Sequence, residues 1–102
     1  MRKSCDVILL PAAEEDLLET IDYSLQDRPS AAIAMLERFQ KNFDAIGQNP
    51  AIGKVVQDEE LVQWGYRYII ISNYLVFYIL KAGRIELHRI IHSARDYIRV
   101  LS

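Results

Sequence analysis

The order of apolar and polar positions divides the chain, up to His92, into six segments that read as helices or strands and one that has no period. Ser4–Leu10, "SCDVILL", is β-branched and apolar and is stopped by Pro11, which predicts a short strand. Pro11 suits the first turn of a helix, where its missing N–H is no loss. Glu14, Glu15 and Asp16 follow at the positive end of that helix dipole. Leu17, Leu18, Ile21 and Leu25 recur at helical spacing, which predicts one buried stripe and a helix ending near Asp27-Arg28-Pro29. Ser30 is placed to cap a second helix, whose apolar stripe is Ile33, Leu36, Phe39, Phe43 and Ile46. Gly47 fits its C-terminal cap and Pro50 its stop. Two amphipathic helices with a three-residue connection form an antiparallel hairpin.

"NPAIGKVVQDEELVQWG" has no period. Three strands follow: Tyr66–Ser72 and Tyr74–Leu80 around a tight turn at Asn73, then Ile85–His92 after the Gly-containing loop 81–84. The middle strand is apolar on both faces, with Tyr74, Val76 and Tyr78 on one and Leu75, Phe77 and Ile79 on the other, so it is central. Strict alternation in the last strand groups Ile85, Leu87, Arg89 and Ile91 against Glu86, His88, Ile90 and His92. The expected class is α+β: an N-terminal strand, a helical hairpin packed on a mostly antiparallel sheet, a C-terminal three-strand meander and a short final helix, in a single domain spanning 1–102. The hairpin covers one face of the sheet, and the other is left for a terminus or a partner.

Composition narrows the class without naming a function. The chain is ordinary for a globular protein, at 51% hydrophobic and 25% charged residues. No run approaches the ~18 apolar residues of a membrane helix, and the N-terminus lacks the length and cleavage site of a signal peptide. Cys5, the lone cysteine, cannot form an internal disulfide, which fits a reducing, cytoplasmic location. No cofactor is implied, no His/Cys cluster has zinc spacing, and no Gly-rich loop resembles a phosphate cradle. Charge changes the picture more. Residues 1–60 carry six Lys/Arg against twelve Asp/Glu, a net of −6, and residues 61–102 carry six against two, a net of +4. One half of the chain therefore presents acid and the other base.

The chemistry is concentrated at the end of the chain, in "RIELHRIIHSARDYIRVL". An Arg among aliphatics is costly unless paired, so Arg89 is expected to meet a carboxylate or a backbone carbonyl, and the acids of the helices are ready partners. His92 has the intrinsic pKa of a general base, Arg95 could clamp a phosphate, and Tyr97 could stack on a base or donate a proton. On the alternative reading, Ser93 caps a final helix over 94–101, His92 ends a strand, and Tyr97 and Val100 pack back on the sheet. Arg67 begins one outer strand of the meander and Arg95 lies beyond the end of the other, which puts the two at opposite ends of the sheet.

The order of these segments resembles the ParE/RelE superfamily of bacterial type II toxin–antitoxin toxins, over nearly the whole chain. The acidic helical hairpin closed by "NPAIGK", the meander "GYRYIIISNYLVFYIL" and the ending "IELHRIIHSARDY" are similar to the family's pattern in order and spacing. The resemblance implies a plasmid-stabilisation type of toxin neutralised by a cognate antitoxin. Such an antitoxin has a DNA-binding N-terminal part and a C-terminal segment that folds on the toxin. It also admits a higher-order toxin–antitoxin assembly. An acidic segment would meet Arg89 and Arg95.

The RelE branch cuts mRNA on the ribosome with a basic groove and a C-terminal Tyr or His. Arg67 and Arg95 match its two arginine positions and Tyr97 lies close to its tyrosine position, so a ribonuclease would use Arg67, His92, Arg95 and Tyr97. The lysine-rich stretch before the meander is replaced here by "VVQDEELVQ", and a pI of 5.6 is poor for docking among RNA phosphates. Both departures favour the ParE branch, whose members are taken to act on DNA gyrase, without direct nucleic-acid binding by the toxin alone and without RNase activity on naked RNA. A ribosome-dependent ribonuclease, or a degenerate toxin that still binds antitoxin, are the alternatives.

Overall fold

The computed structural model describes residues 4–92 and Leu101. In chain order the elements are β1 (Asp6–Leu9), α1 (Pro11–Asp27), α2 (Pro29–Gln48), β2 (Lys54–Val55), β3 (Arg67–Ile71), β4 (Tyr74–Lys81) and β5 (Arg84–His92), with single 3₁₀ turns at Pro50–Ile52 and Val62–Trp64. The class is α+β, as the sequence predicts. The final helix expected over 94–101 lies outside the described residues apart from Leu101, and so do Ser93, Tyr97 and Val100.

The sheet has the order β1-β5-β4-β3-β2. β1 runs parallel to β5, and every other pair is antiparallel. Parallel pairing needs a crossover, and the α1–α2 hairpin together with the meander supplies it. β4 is central with the two faces assigned above. Val76 and Tyr78 join Ala13, Phe39, Phe43 and Ile46 of the helices in one core. On the opposite face Phe77 packs with Val56, Leu61, Tyr66 and Ile91.

The helices begin and pack differently from the sequence expectation. Pro11 does start α1. Pro29 starts α2 in the same way, after the single extended residue Arg28, so Ser30 is inside the helix and not its cap. Proline can take the first helical position because that N–H has no intrahelical acceptor. The expected stripes are only half right. Phe39, Phe43 and Ile46 are buried, but Leu18, Leu25, Ile33 and Leu36 are exposed, and Ala13 and Thr20 are the residues of α1 that go inside. Small side chains there let α1 lie close to the sheet. Gly47 is not a cap either. It is buried within α2, and a Cβ there would stand 3.0 Å from the Cys5 carbonyl oxygen, whose own residue donates its N–H to the Gly47 carbonyl at 2.7 Å.

The aperiodic stretch is ordered. Residues 54–55 form the edge strand β2, and 56–66 fold into a compact loop with its ends joined by the Val56 N–H to Tyr66 carbonyl hydrogen bond of 3.0 Å. Asp58 Oδ1 accepts from the N–H groups of Glu60 and Leu61 at 2.9 and 3.1 Å, which turns the chain as Asp side chains do in tight turns. Val56, Leu61 and Tyr66 anchor this loop over the second face of the sheet, and Leu101 packs on the same cluster. That face is thus covered from within the chain by the loop and by Leu101.

Candidate functional site

β5 positions the candidate residues, and a bulge decides where each one faces. Phe77 stands opposite Arg89 but Tyr78 stands opposite Leu87, so His88 is the extra residue. Alternation restarts beyond it. Ile90 joins Ile85 and Leu87 in the helix-side core, and Ile91 goes to the opposite face with Phe77. The strict grouping of Ile91 with Leu87, and of Ile90 with Glu86, fails for this reason.

β1 pairs with β5 only as far as Leu9 beside Leu87, after which the Leu10 N–H still reaches the Leu87 carbonyl at 3.0 Å. Beyond that point the edge of β5 would be bare. Asp16 of α1 takes the place of the missing strand. Its carboxylate accepts from Arg89 Nε at 2.7 Å, from Arg89 Nη2 at 3.0 Å and from the Ile90 N–H at 2.9 Å. The Asp16 hydrogen bonds push the Arg89 pKa above its ordinary value, against the opposing effect of burial. Arg89 is therefore a paired arginine joining the hairpin to the sheet.

Arg67 has a comparable role at the other edge. Its Nη1 donates to the Gly53 carbonyl at 2.8 Å. The Tyr78 hydroxyl donates to the Pro50 carbonyl at 2.6 Å and accepts from the Gly53 N–H at 3.0 Å. Burial raises the Tyr78 pKa, partly offset by the Gly53 hydrogen bond and the charge of Arg67. A Cβ on Gly53 would overlap the Tyr78 phenol, so only glycine fits. Together these groups pin the 50–53 turn to the sheet.

His92 ends β5, exposed, with its ring edge-on to Tyr74 at 5.4 Å. It borders a cleft of about 670 Å³ between the hairpin and the β3–β4 turn, together with Asp16, Glu19, Tyr23, Asn73 and Tyr74. Among the described residues lining this cleft none is Lys or Arg. Arg67 pairs with Tyr78 and His92 with Tyr74, four residues apart along β4, or about 13 Å at strand spacing. Arg67 and His92 are not brought together. Arg95 and Tyr97 lie outside the described residues.

A third cluster carried no motif. Tyr66, which precedes β3, contacts His88 Nδ1 through its hydroxyl at 3.2 Å, with the rings edge-on. His88 Nε2 lies 3.5 Å from Glu86 Oε1 and makes no hydrogen bond among the described residues. Burial raises the Tyr66 pKa. The group ties the 56–66 loop to the bulge of β5. Only the presence of a His on a strand hinted at it.

The sequence profile of the ParE toxin of the type II toxin–antitoxin system parDE matches residues 7–97. No curated protein matches the chain significantly by sequence. Solved structures share its fold, two toxin–antitoxin chains among them. A chain of the chromosomal ParDE toxin–antitoxin system from P. aeruginosa superposes with a TM-score of 0.71 at 16% identity, over 87% of this chain and 96% of that one. A chain of the RelBE2 toxin–antitoxin complex from Mycobacterium tuberculosis gives 0.61 at 18% identity, over 93% and 98%.

Proposed function

Because the chain belongs to the ParE toxin family of type II toxin–antitoxin systems, we propose that it is a cytoplasmic, single-domain inhibitor of DNA gyrase, neutralised by a cognate antitoxin. One observation carries the choice of gyrase over mRNA. One of the two arginines that a ribonuclease would use, Arg67, is bonded to the Gly53 carbonyl and stands far along the sheet from His92. A general base acts within hydrogen-bond reach of its substrate, so an arginine serving the same phosphate has to stand beside it. Among the described residues the cleft beside His92 is lined by Glu19, which repels phosphate, and by Asp16, whose charge is matched by Arg89.

Controlled induction in a bacterial host tests this reading. Filamentation with DNA-damage signalling, and loss of supercoiling by gyrase treated with the purified protein, are expected. Immediate arrest of translation with mRNA cleaved at codon edges would establish the ribosomal alternative, and unimpaired growth a degenerate toxin.

The antitoxin is expected to meet the basic part of β5 and its continuation, at Arg89 and Arg95. Arg89→Glu also breaks the Asp16 pair, so Arg95→Glu is the cleaner probe. Measured at two salt concentrations, it should weaken the complex and flatten its salt dependence. Unchanged affinity would move the antitoxin to the acidic hairpin.

A further inference from the structure

The 56–66 loop does two things at once. Val56, Leu61 and Tyr66 bury themselves against the sheet, while Val62 and Trp64, the chain's one tryptophan, are turned outward at 48% and 63% exposure. A loop that served only as a cover would put its largest apolar side chain inside, where burial is worth most. The outward turn is held in place. The Val62 N–H bonds to the Asp58 carbonyl at 2.8 Å, Trp64 to Leu61 at 3.0 Å, and Gly65 to Val62 at 3.1 Å, with Gly65 left-handed at φ 76°. The indole is thus presented on an ordered support, so little further ordering is needed when it is covered. Exposed Ile52 and Val55 belong to the adjoining turn and edge strand.

Charge selects the partner. The loop carries Asp58, Glu59 and Glu60 and has no Lys or Arg between positions 56 and 66. Asp58 is used internally, and Glu59 and Glu60 are exposed. An antitoxin segment that answers the arginines of residues 61–102 is acidic, and this loop repels it. A surface that handles DNA is positive, because it neutralises phosphates. We propose that Trp64, carried on the same acidic loop as Glu59 and Glu60, is the surface by which this chain grips its target, docking on a positively charged protein face that otherwise receives DNA, that of gyrase. This rests on the gyrase reading above.

Purified wild type, Trp64→Ala and a Glu59→Lys/Glu60→Lys double variant are compared for inhibition of gyrase supercoiling, for capture of the co-expressed cognate antitoxin, and for self-association by sedimentation. Thermal melts check the fold, which these exposed positions should leave intact. Trp64→Ala should raise the inhibitory concentration by about 30-fold, as truncation of a central interface tryptophan does. The charge-reversed variant should also inhibit poorly, and antitoxin capture should be unchanged. Equal inhibition by wild type and both folded variants overturns the docking surface but leaves the gyrase reading standing. A wild type that does not inhibit gyrase overturns both. Loss of antitoxin capture in Trp64→Ala, or self-association that the variant abolishes, assigns the surface to another occupant and overturns the proposal.

Discussion

Replacing Asp16 with Ala should be among the most damaging single changes outside the apolar core. The carboxylate is one of the few contacts that fasten α1 to the sheet by polar bonds, and it satisfies three donors at once. Its loss leaves the Ile90 N–H without an acceptor in a residue that is 4% exposed. An orphaned buried donor costs about 1–3 kcal/mol. It also leaves the Arg89 cation unpaired. Breaking a fully buried ion pair costs about 3–5 kcal/mol, but the Arg89 side chain keeps 27% of its surface in water and Asp16 keeps 13%, so solvent recovers part of that. Weighing both, the expected loss is about 2–4 kcal/mol, or a fall in Tm of roughly 10 °C or more for a domain of this size. Asp16→Asn retains one oxygen for the Ile90 N–H and should lose about half as much. Pairing Asp16→Ala with Arg89→Met removes the stranded charge, so the double variant should be less damaged than the sum of the singles by about 1–2 kcal/mol. Denaturant melts of the four proteins give the cycle. A loss below about 0.5 kcal/mol for Asp16→Ala, or strict additivity, would refute the view that the pair fastens the hairpin to the sheet.

The other predictions are shorter. Phe43→Ala should cost about 3–5 kcal/mol because the ring is buried in the helix-side core, whereas Leu36→Ala, at 49% exposure, should cost under about 1 kcal/mol in the same denaturant melts. Gly53→Ala should lose about 1–3 kcal/mol through the overlap of its Cβ with the Tyr78 phenol, and combining it with Tyr78→Phe should recover part of that. Burial raises the pKa of Tyr66 and Tyr78 above the ordinary 10.0, so the folded state binds their protons more tightly than the unfolded chain. Their stabilisation is complete below that pH and is lost as pH rises through the raised values. Melts between pH 9 and 12 should therefore show a steep alkaline decline that is shallower in Tyr78→Phe.

Among the described residues periodicity located every long element and the two faces of β4, because those depend on side-chain alternation and little else. It failed where a short-range pattern was overruled by a close approach. The outer leucines and isoleucines of the hairpin share the helical period of Phe39, Phe43 and Ile46, yet the distance to the sheet at α1 favours Ala13 and Thr20. Gly47 and Ser30 carry the residue types of caps. A strand passing the end of α2 claims the first, and Pro29, already at the start of the helix, displaces the second. β2 has only two residues, too few for any period to show.

The candidate site was legible as a list of residue types and illegible as geometry. That Arg89 needed an acceptor, a carboxylate or a backbone carbonyl, follows from burying a guanidinium among aliphatics. That the acceptor is Asp16 depends on where β1 stops. His88 is the larger lesson. One extra residue in β5 moves Ile90 and Ile91 to opposite faces and sets His88 under Tyr66, which holds the acidic loop down on the sheet. No alternation pattern predicts the extra residue, because a bulge is a property of the pairing and not of either strand. The same loop looks irregular in the sequence because its order comes from Asp58, from three buried anchors and from one left-handed glycine. Those are single residues without a repeat. A surface built that way can carry a function that spacing arguments pass over, and Trp64 sits on it.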